Sequence, residues 1–70
     1  MPIPFNERLK QVRHSKTDDS GKRLSQEKAA RFFYVALGTY CNWEANPPRG
    51  YPDLRSQMRL KEQWPEVFSD

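Results

Sequence analysis

The sequence predicts an all-α fold of four to five short helices. Three observations carry this. Apolar residues recur at three- and four-residue spacings, clusters of turn formers cut the chain into helix-sized segments, and no stretch alternates apolar and polar residues over a useful strand length. No internal repeat is present. Seventy residues suffice for one domain with a single small core, which leaves only a few kcal/mol of stability.

Phe5, Leu9 and Val12 stand at i, i+4 and i+7, one face of a helix over about 5–14. Asn6 is the expected cap, with Glu7 in the first turn where the helix dipole favours an anion. From 15 to 23 the chain is polar and contains the turn formers Asp18, Asp19, Ser20 and Gly21, so a mobile loop is expected. Ser25 is a good N-cap for a second helix, Glu27 lies in its first turn, and Leu24 can staple against Ala29. Ala29, Ala30 and Phe33 share its inner face. A third helix follows over 37–44, with Tyr40 and Trp43 buried, and Asn46-Pro47-Pro48-Arg49-Gly50 stops it. Pro52 opens a fourth helix over about 52–63, with Leu54, Met58 and the stem of Lys61 inward. Pro65 ends it, and residues 64–70 form an apolar hook around Val67 and Phe68.

Composition excludes several function classes. Cys41 and His14 are the lone residues of their types, so a zinc cluster of about four Cys and His ligands is not available. His14 reads as a residue at the C-terminal end of the first helix, favourably placed near its dipole. No Ser/His/Asp, Cys/His or paired-carboxylate arrangement can be assembled, and no Gly-rich phosphate loop is present. An enzyme is therefore not expected, nor a cofactor or small-molecule ligand. No run approaches the ~18 apolar residues of a membrane span. The opening Met1-Pro2-Ile3-Pro4-Phe5 lacks the build of a signal peptide, so a cytoplasmic location in a bacterial or phage-infected cell is expected.

The net charge of +3 is unevenly spread. It falls from +3 over residues 1–23 to +1 over 24–51 and −1 over 52–70. A basic end that meets phosphates fits this gradient, and so does an ordinary solvated surface.

The most informative feature is the short link between the second and third helices. Tyr34, Val35 and Ala36 are all that separate Phe33 from Leu37. Such a link forces the helices to cross steeply, the geometry of a helix-turn-helix over 24–46, in which the second of the pair can enter the major groove. The stretch from Leu24 to Glu44 resembles the Cro/phage-repressor (xenobiotic-response-element) helix-turn-helix family, whose pattern is L-[ST]-Q-x-x-x-A-x-x-x-G-V-[ST]-x-x-T-[IV]-x-x-W-E. Leu24, Ser25, Gln26, Ala30, Val35, Thr39, Trp43 and Glu44 match it, and residues 8–13 are similar to the family's first helix. Three features depart from it. Tyr34 stands where the family usually has glycine, the loop over 15–23 is longer, and Ala36-Leu37-Gly38 replaces the polar start of the recognition helix.

The resemblance implies a lambda-repressor-like fold and sequence-specific binding of double-stranded DNA by a small prokaryotic or phage transcriptional regulator, with helix 37–44 in the major groove. It implies that Ala30 keeps the two helices close, that Tyr40 and Trp43 pin the recognition helix, and that Glu44 pairs with Arg13. Gln26 would meet a phosphate or base edge. Asn42 would read adenine through its amide, and Leu37 would meet a thymine methyl. Gly38 and Cys41 would permit close approach, with Asn46 nearby. Thr39, Lys28, Arg31 and Arg49 would reach phosphates. Each of these has a plainer reading beside it: Gln26 as a first-turn helix residue, Asn42 as solvated, Cys41 as a small packing residue. A homodimer through Leu54, Met58, Trp64, Val67 and Phe68 is expected. The alternative function is a protein-interaction module, an anti-repressor or adaptor, built on the same fold.

Overall fold

The computed structural model describes residues 3–47 and 49–68. Met1, Pro2, Pro48, Ser69 and Asp70 lie outside the described residues, and with them half of the expected Pro-Pro stop and the last two residues of the expected hook. The order is α1 (Phe5–His14), α2 (Gln26–Phe32), α3 (Leu37–Glu44), α4 (Leu54–Gln63) and a 3₁₀ turn over Pro65–Phe68. Among the described residues there is no strand, only an isolated bridge between Thr17 and Arg23. The fold is all-α.

α3 lies against both α2 and α1, and the 3₁₀ turn closes on α1 and α4. Leu9 and Val12 of α1, Ala29, Ala30 and Phe33 of the α2 segment, and Tyr40 and Trp43 of α3 meet Leu60, Trp64 and Val67 in one buried cluster. Leu24, half-buried, packs against the same cluster. Trp64 anchors the C-terminal part, edge-on to Phe33 with ring centroids 4.7 Å apart. Aromatic pairs in that arrangement contribute about 0.5–1.5 kcal/mol beyond their buried area.

Local signals account for the starts of α2 and α4. The Ser25 side chain accepts from Lys28 N–H, and Asp53 accepts from Ser56 N–H. α4 begins at Leu54 rather than Pro52, because Asp53 stands in the extended N-cap conformation and its side chain takes one of the free first-turn N–H groups; Pro52 lies fully buried in the approach. α1 differs from expectation. Its N-cap is Pro4, without a side-chain bond. Asn6 lies inside the helix, 4% exposed, and donates from Nδ2 to the carbonyl of Ala45 at 2.9 Å. Its amide joins the start of α1 to the end of α3 instead of capping its own helix.

The phase of α4 corrects the sequence reading. Leu54 and Met58 are 72% and 57% exposed, not inward. Leu60 and Trp64, one turn apart, face the core instead. At 100° per residue, Met58 then lies about 200° round the helix from Leu60. Lys61 is exposed too, its ammonium 5.5 Å from the ring of Phe68.

The segment expected as a mobile loop is tied down by hydrogen bonds. Asp18 Oδ1 accepts from the N–H and hydroxyl of Ser20 and from Lys22 N–H, at 2.9, 2.6 and 3.1 Å. Asp18 Oδ2 accepts from Lys28 Nζ at 2.9 Å, and Gly21 supplies the positive φ of the turn. The Ser20 hydroxyl, followed by the Lys28 ammonium, holds the Asp18 carboxyl below the usual carboxylate range. A depressed pKa stabilises the fold above the unfolded value, near pH 4, and that stability is lost as pH falls through the folded value. Asp18→Asn should therefore lower Tm at pH 7, with the gap to the parent protein narrowing by about pH 3. Thermal unfolding followed by circular dichroism at both pH values checks this; a gap that stays constant counts against it.

Candidate nucleic-acid interface

The α2–α3 turn is a Schellman motif built around a tyrosine. Val35 N–H donates to the carbonyl of Ala30 at 3.0 Å and Tyr34 N–H to that of Arg31 at 3.1 Å. This closure requires a left-handed residue between them, usually glycine. Tyr34 takes that place at φ 58. For a residue with a Cβ this conformation costs about 1–2 kcal/mol. The guanidinium of Arg59 lies over its ring, 4.5 Å from the centroid, and Val35 packs against the core beside it. The turn keeps its shape despite the missing glycine, and α3 leaves it as a separate helix.

Two polar links from α1 hold α3. At its C-terminal end stands the Asn6 bond to Ala45. In its last turn Glu44 receives Arg13: Nε to Oε2 at 2.8 Å and Nη2 to Oε1 at 3.1 Å. Their side chains are 9% and 2% exposed, and Arg13 Nη1 also donates to the carbonyl of Leu24 at 2.8 Å. Burial works against the Arg13 charge, but the Glu44 carboxylate outweighs it and raises the pKa further. Tyr40 is fully buried, and burial followed by the adjacent Glu44 carboxylate pushes its phenol well above the ordinary range. His14, the last residue of α1, lies beside Arg13 Nη2 at 3.2 Å. Burial and then the Arg13 charge lower its pKa.

Tyr40, Trp43 and Glu44 point inward, which turns the opposite face of α3 outward. Leu37, Gly38, Thr39 and Asn42 are exposed, as are Asn46 and Arg49 beyond the helix. Nothing beyond its own helix lies within 4 Å of where a Cβ on Gly38 would stand. Asn42 has a neighbour: Arg49 N–H donates to its carbonyl at 3.2 Å, and the loop passes close at Gly50. Ala36 provides no side-chain cap, so the first-turn N–H groups of α3 keep the positive end of the helix dipole open to an anion.

The other candidate residues are held differently. Gln26 is half-buried, donating from Nε2 to Glu44 at 3.2 Å and accepting from Cys41 Sγ at 3.5 Å. Its amide is thus engaged by the protein itself, and Cys41 is half-buried beside it. Lys28 is paired with Asp18, and Arg31 lies 3.6 Å from Glu27. Sequence reasoning gave Asn6 the wrong role, as a cap, took Asp18 only as a turn former, and missed Arg59, for which the sequence carried no signal.

Comparison with known proteins adds a regulator. No protein-family model matches the chain, and no solved structure matches it significantly. The chain is 37% identical over 54 residues to the HTH-type transcriptional activator BcrR of Enterococcus faecalis. Over that stretch it is similar to part of a helix-turn-helix regulator. The match takes in 77% of this chain and 22% of that protein, so the chain spans about a fifth of the length of its curated relative. Among the described residues no helix is long and apolar enough to cross a membrane.

Proposed function

We propose that the chain binds double-stranded DNA sequence-specifically, as the DNA-reading part of a prokaryotic or phage transcriptional regulator, with α3 in the major groove. The observation that carries this is the free outer face of α3, mounted on α1 by the Arg13–Glu44 pair and the Asn6–Ala45 bond and open at Gly38. The similarity to part of an HTH-type transcriptional activator supports the same reading. Asn42 reads a base edge, Leu37 meets a methyl group, and the uncapped N–H groups at Leu37, Gly38 and Thr39 face a phosphate. Arg49 and Arg31 flank the groove. Arg31 is 81% exposed and bound only loosely to Glu27, so a phosphate displaces that contact readily. Pairing of two chains on a two-fold DNA site completes the reading, with Leu54 and Met58 available on the surface. Trp64 and Val67, expected at such an interface, are buried within the chain and unavailable to it.

The experiment is a fluorescence titration of random-sequence duplex at two salt concentrations. Three phosphate contacts give a loss of affinity of about 40-fold between roughly 50 and 200 mM salt. Binding that is absent at the lower salt, or indifferent to salt, would falsify the proposal.

A further inference from the structure

Two surface clefts differ in how their charges are used. In a cleft of about 370 Å³ between the 15–23 turn and the Phe32–Trp64 stack, both lysines already have partners, Lys16 with Glu66 and Lys28 with Asp18. A second cleft, of about 320 Å³, lies between the α2–α3 turn and the start of α4, lined by Phe33, Tyr34, Val35, Asp53, Arg55 and Arg59 among others. Here neither arginine is ion-paired with a carboxylate among the described residues. Asp53 shares the cleft: it caps α4, accepting from Ser56 N–H at 2.9 Å, and its carboxylate offsets one of the two positive charges, leaving the cleft with a net positive charge.

Arg55 and Arg59 are one helical turn apart, a like-charge spacing that is unfavourable without a counter-charge. The Tyr34 ring steadies Arg59 over the cleft and is itself 78% exposed, although its backbone is held in the left-handed region. On the adjoining stripe of α4, Leu54 and Met58 are also exposed. Exposed Tyr, Met and Arg beside an apolar floor is the composition of a protein-binding surface, with arginine and aromatic residues as its usual anchors. A DNA backbone would satisfy the two arginines but leave Tyr34, Leu54 and Met58 without partners.

We propose that this cleft and the outer face of α4 dock an acidic segment of a partner protein. The segment lays an apolar side chain against the exposed Leu54 and Met58 and places carboxylates against Arg55 and Arg59. The unpaired guanidinium groups select the sign of the partner's charge, and the apolar floor selects a protein over a nucleic acid. Docking here leaves the outer face of α3 free for DNA, but it takes the same Leu54 and Met58 surface that pairing of two chains would use, so a docked segment and a second copy compete for it.

The test uses the full chain to select from a phage-displayed random dodecamer library. Enriched peptides should carry at least two Asp or Glu residues around an apolar one. The best of them, synthesised with a fluorescent label, should lose at least tenfold in affinity against the charge-reversed Arg55→Glu/Arg59→Glu protein, whose helical circular dichroism should match the parent. The proposal is overturned by failure to enrich any peptide, by enriched peptides without carboxylates, or by equal binding to the charge-reversed protein. Duplex DNA affinity is compared between that protein and a control with Lys10→Glu/Lys61→Glu, which carries the same net charge. The two should agree within threefold, and a larger loss in the Arg55→Glu/Arg59→Glu protein overturns the proposal, since the arginines would then serve phosphates. The DNA reading fails separately, if the parent protein itself shows no salt-sensitive duplex binding.

Discussion

Arg13→Ala and Glu44→Ala, each alone, are expected to leave little or no folded protein at 25 °C. The reason is asymmetry. The pair is bidentate, with side chains 9% and 2% exposed, so removing one member strands the other's charge where water reaches it poorly. Breaking such a pair from one side costs about 3–5 kcal/mol, whereas an exposed pair contributes about 0–1 kcal/mol. Each loss spreads further. Without Arg13 the Leu24 carbonyl loses a donor, and without Glu44 the Gln26 amide loses an acceptor. A chain of this size holds only a few kcal/mol in total, and about 3 kcal/mol corresponds to a fall in Tm of at least 12 °C. Replacing both members by apolar residues of similar volume, Arg13→Met with Glu44→Leu, should recover most of the loss, because no charge is then left behind. Thermal unfolding of the two single variants and the double one checks this. Single losses below about 1 kcal/mol would place the pair among weak surface contacts, and a double variant no better than the singles would mean that packing rather than charge is at stake.

What the sequence made legible follows the range of each interaction. Ser25 before a run of good helix formers signals the start of α2, and the cap bond it forms spans three residues. Leu9 with Val12, and Tyr40 with Trp43, mark inner faces because helical spacing is a local property. The short α2–α3 link was equally readable, and so was the need for a left-handed residue in it, which Tyr34 satisfies in spite of its Cβ. Longer-range choices were hidden. Leu54 and Met58 form as good an apolar stripe as Leu60 and Trp64. Packing against the body decides between them, and no residue of α4 announces that decision. Asn6 and Ala45 are 39 residues apart, so nothing near Asn6 distinguishes a cap from a cross-link. Gln26 looked free to touch DNA because Cys41 and Glu44, which hold its amide, come from another helix. The turn over 15–23 was visible as turn chemistry, but its tie to Lys28 depends on α2 folding back beside it.

Gly38→Glu is expected to separate folding from DNA binding. The Gly38 position is helical and faces open space, with nothing beyond its own helix within 4 Å of a Cβ there, so a side chain can leave the helix at this point without a clash at its root. Glycine inside a helix is destabilising by about 0.5–1 kcal/mol relative to a good helix former, and a carboxylate in the first turn also suits the helix dipole. Stability should therefore hold or rise slightly. DNA affinity should move the other way. The new carboxylate sits on the outer face of α3, beside the N–H groups proposed to meet a phosphate, and like charges brought together at an interface cost several kcal/mol. A loss of about 2 kcal/mol corresponds to roughly 30-fold weaker duplex binding. Gly38→Ala supplies the control, gaining the same helix stability without the charge and losing little affinity, unless the groove needs the bare backbone at that point. Equal duplex binding by the Glu variant and the parent, with Tm preserved, would mean that DNA does not approach this face, and α3 would cease to be the reading helix. A collapse in Tm would contradict the open surroundings of Gly38 before any statement about DNA was reached. Because stability and affinity are expected to change in opposite directions, unfolding cannot imitate the predicted result.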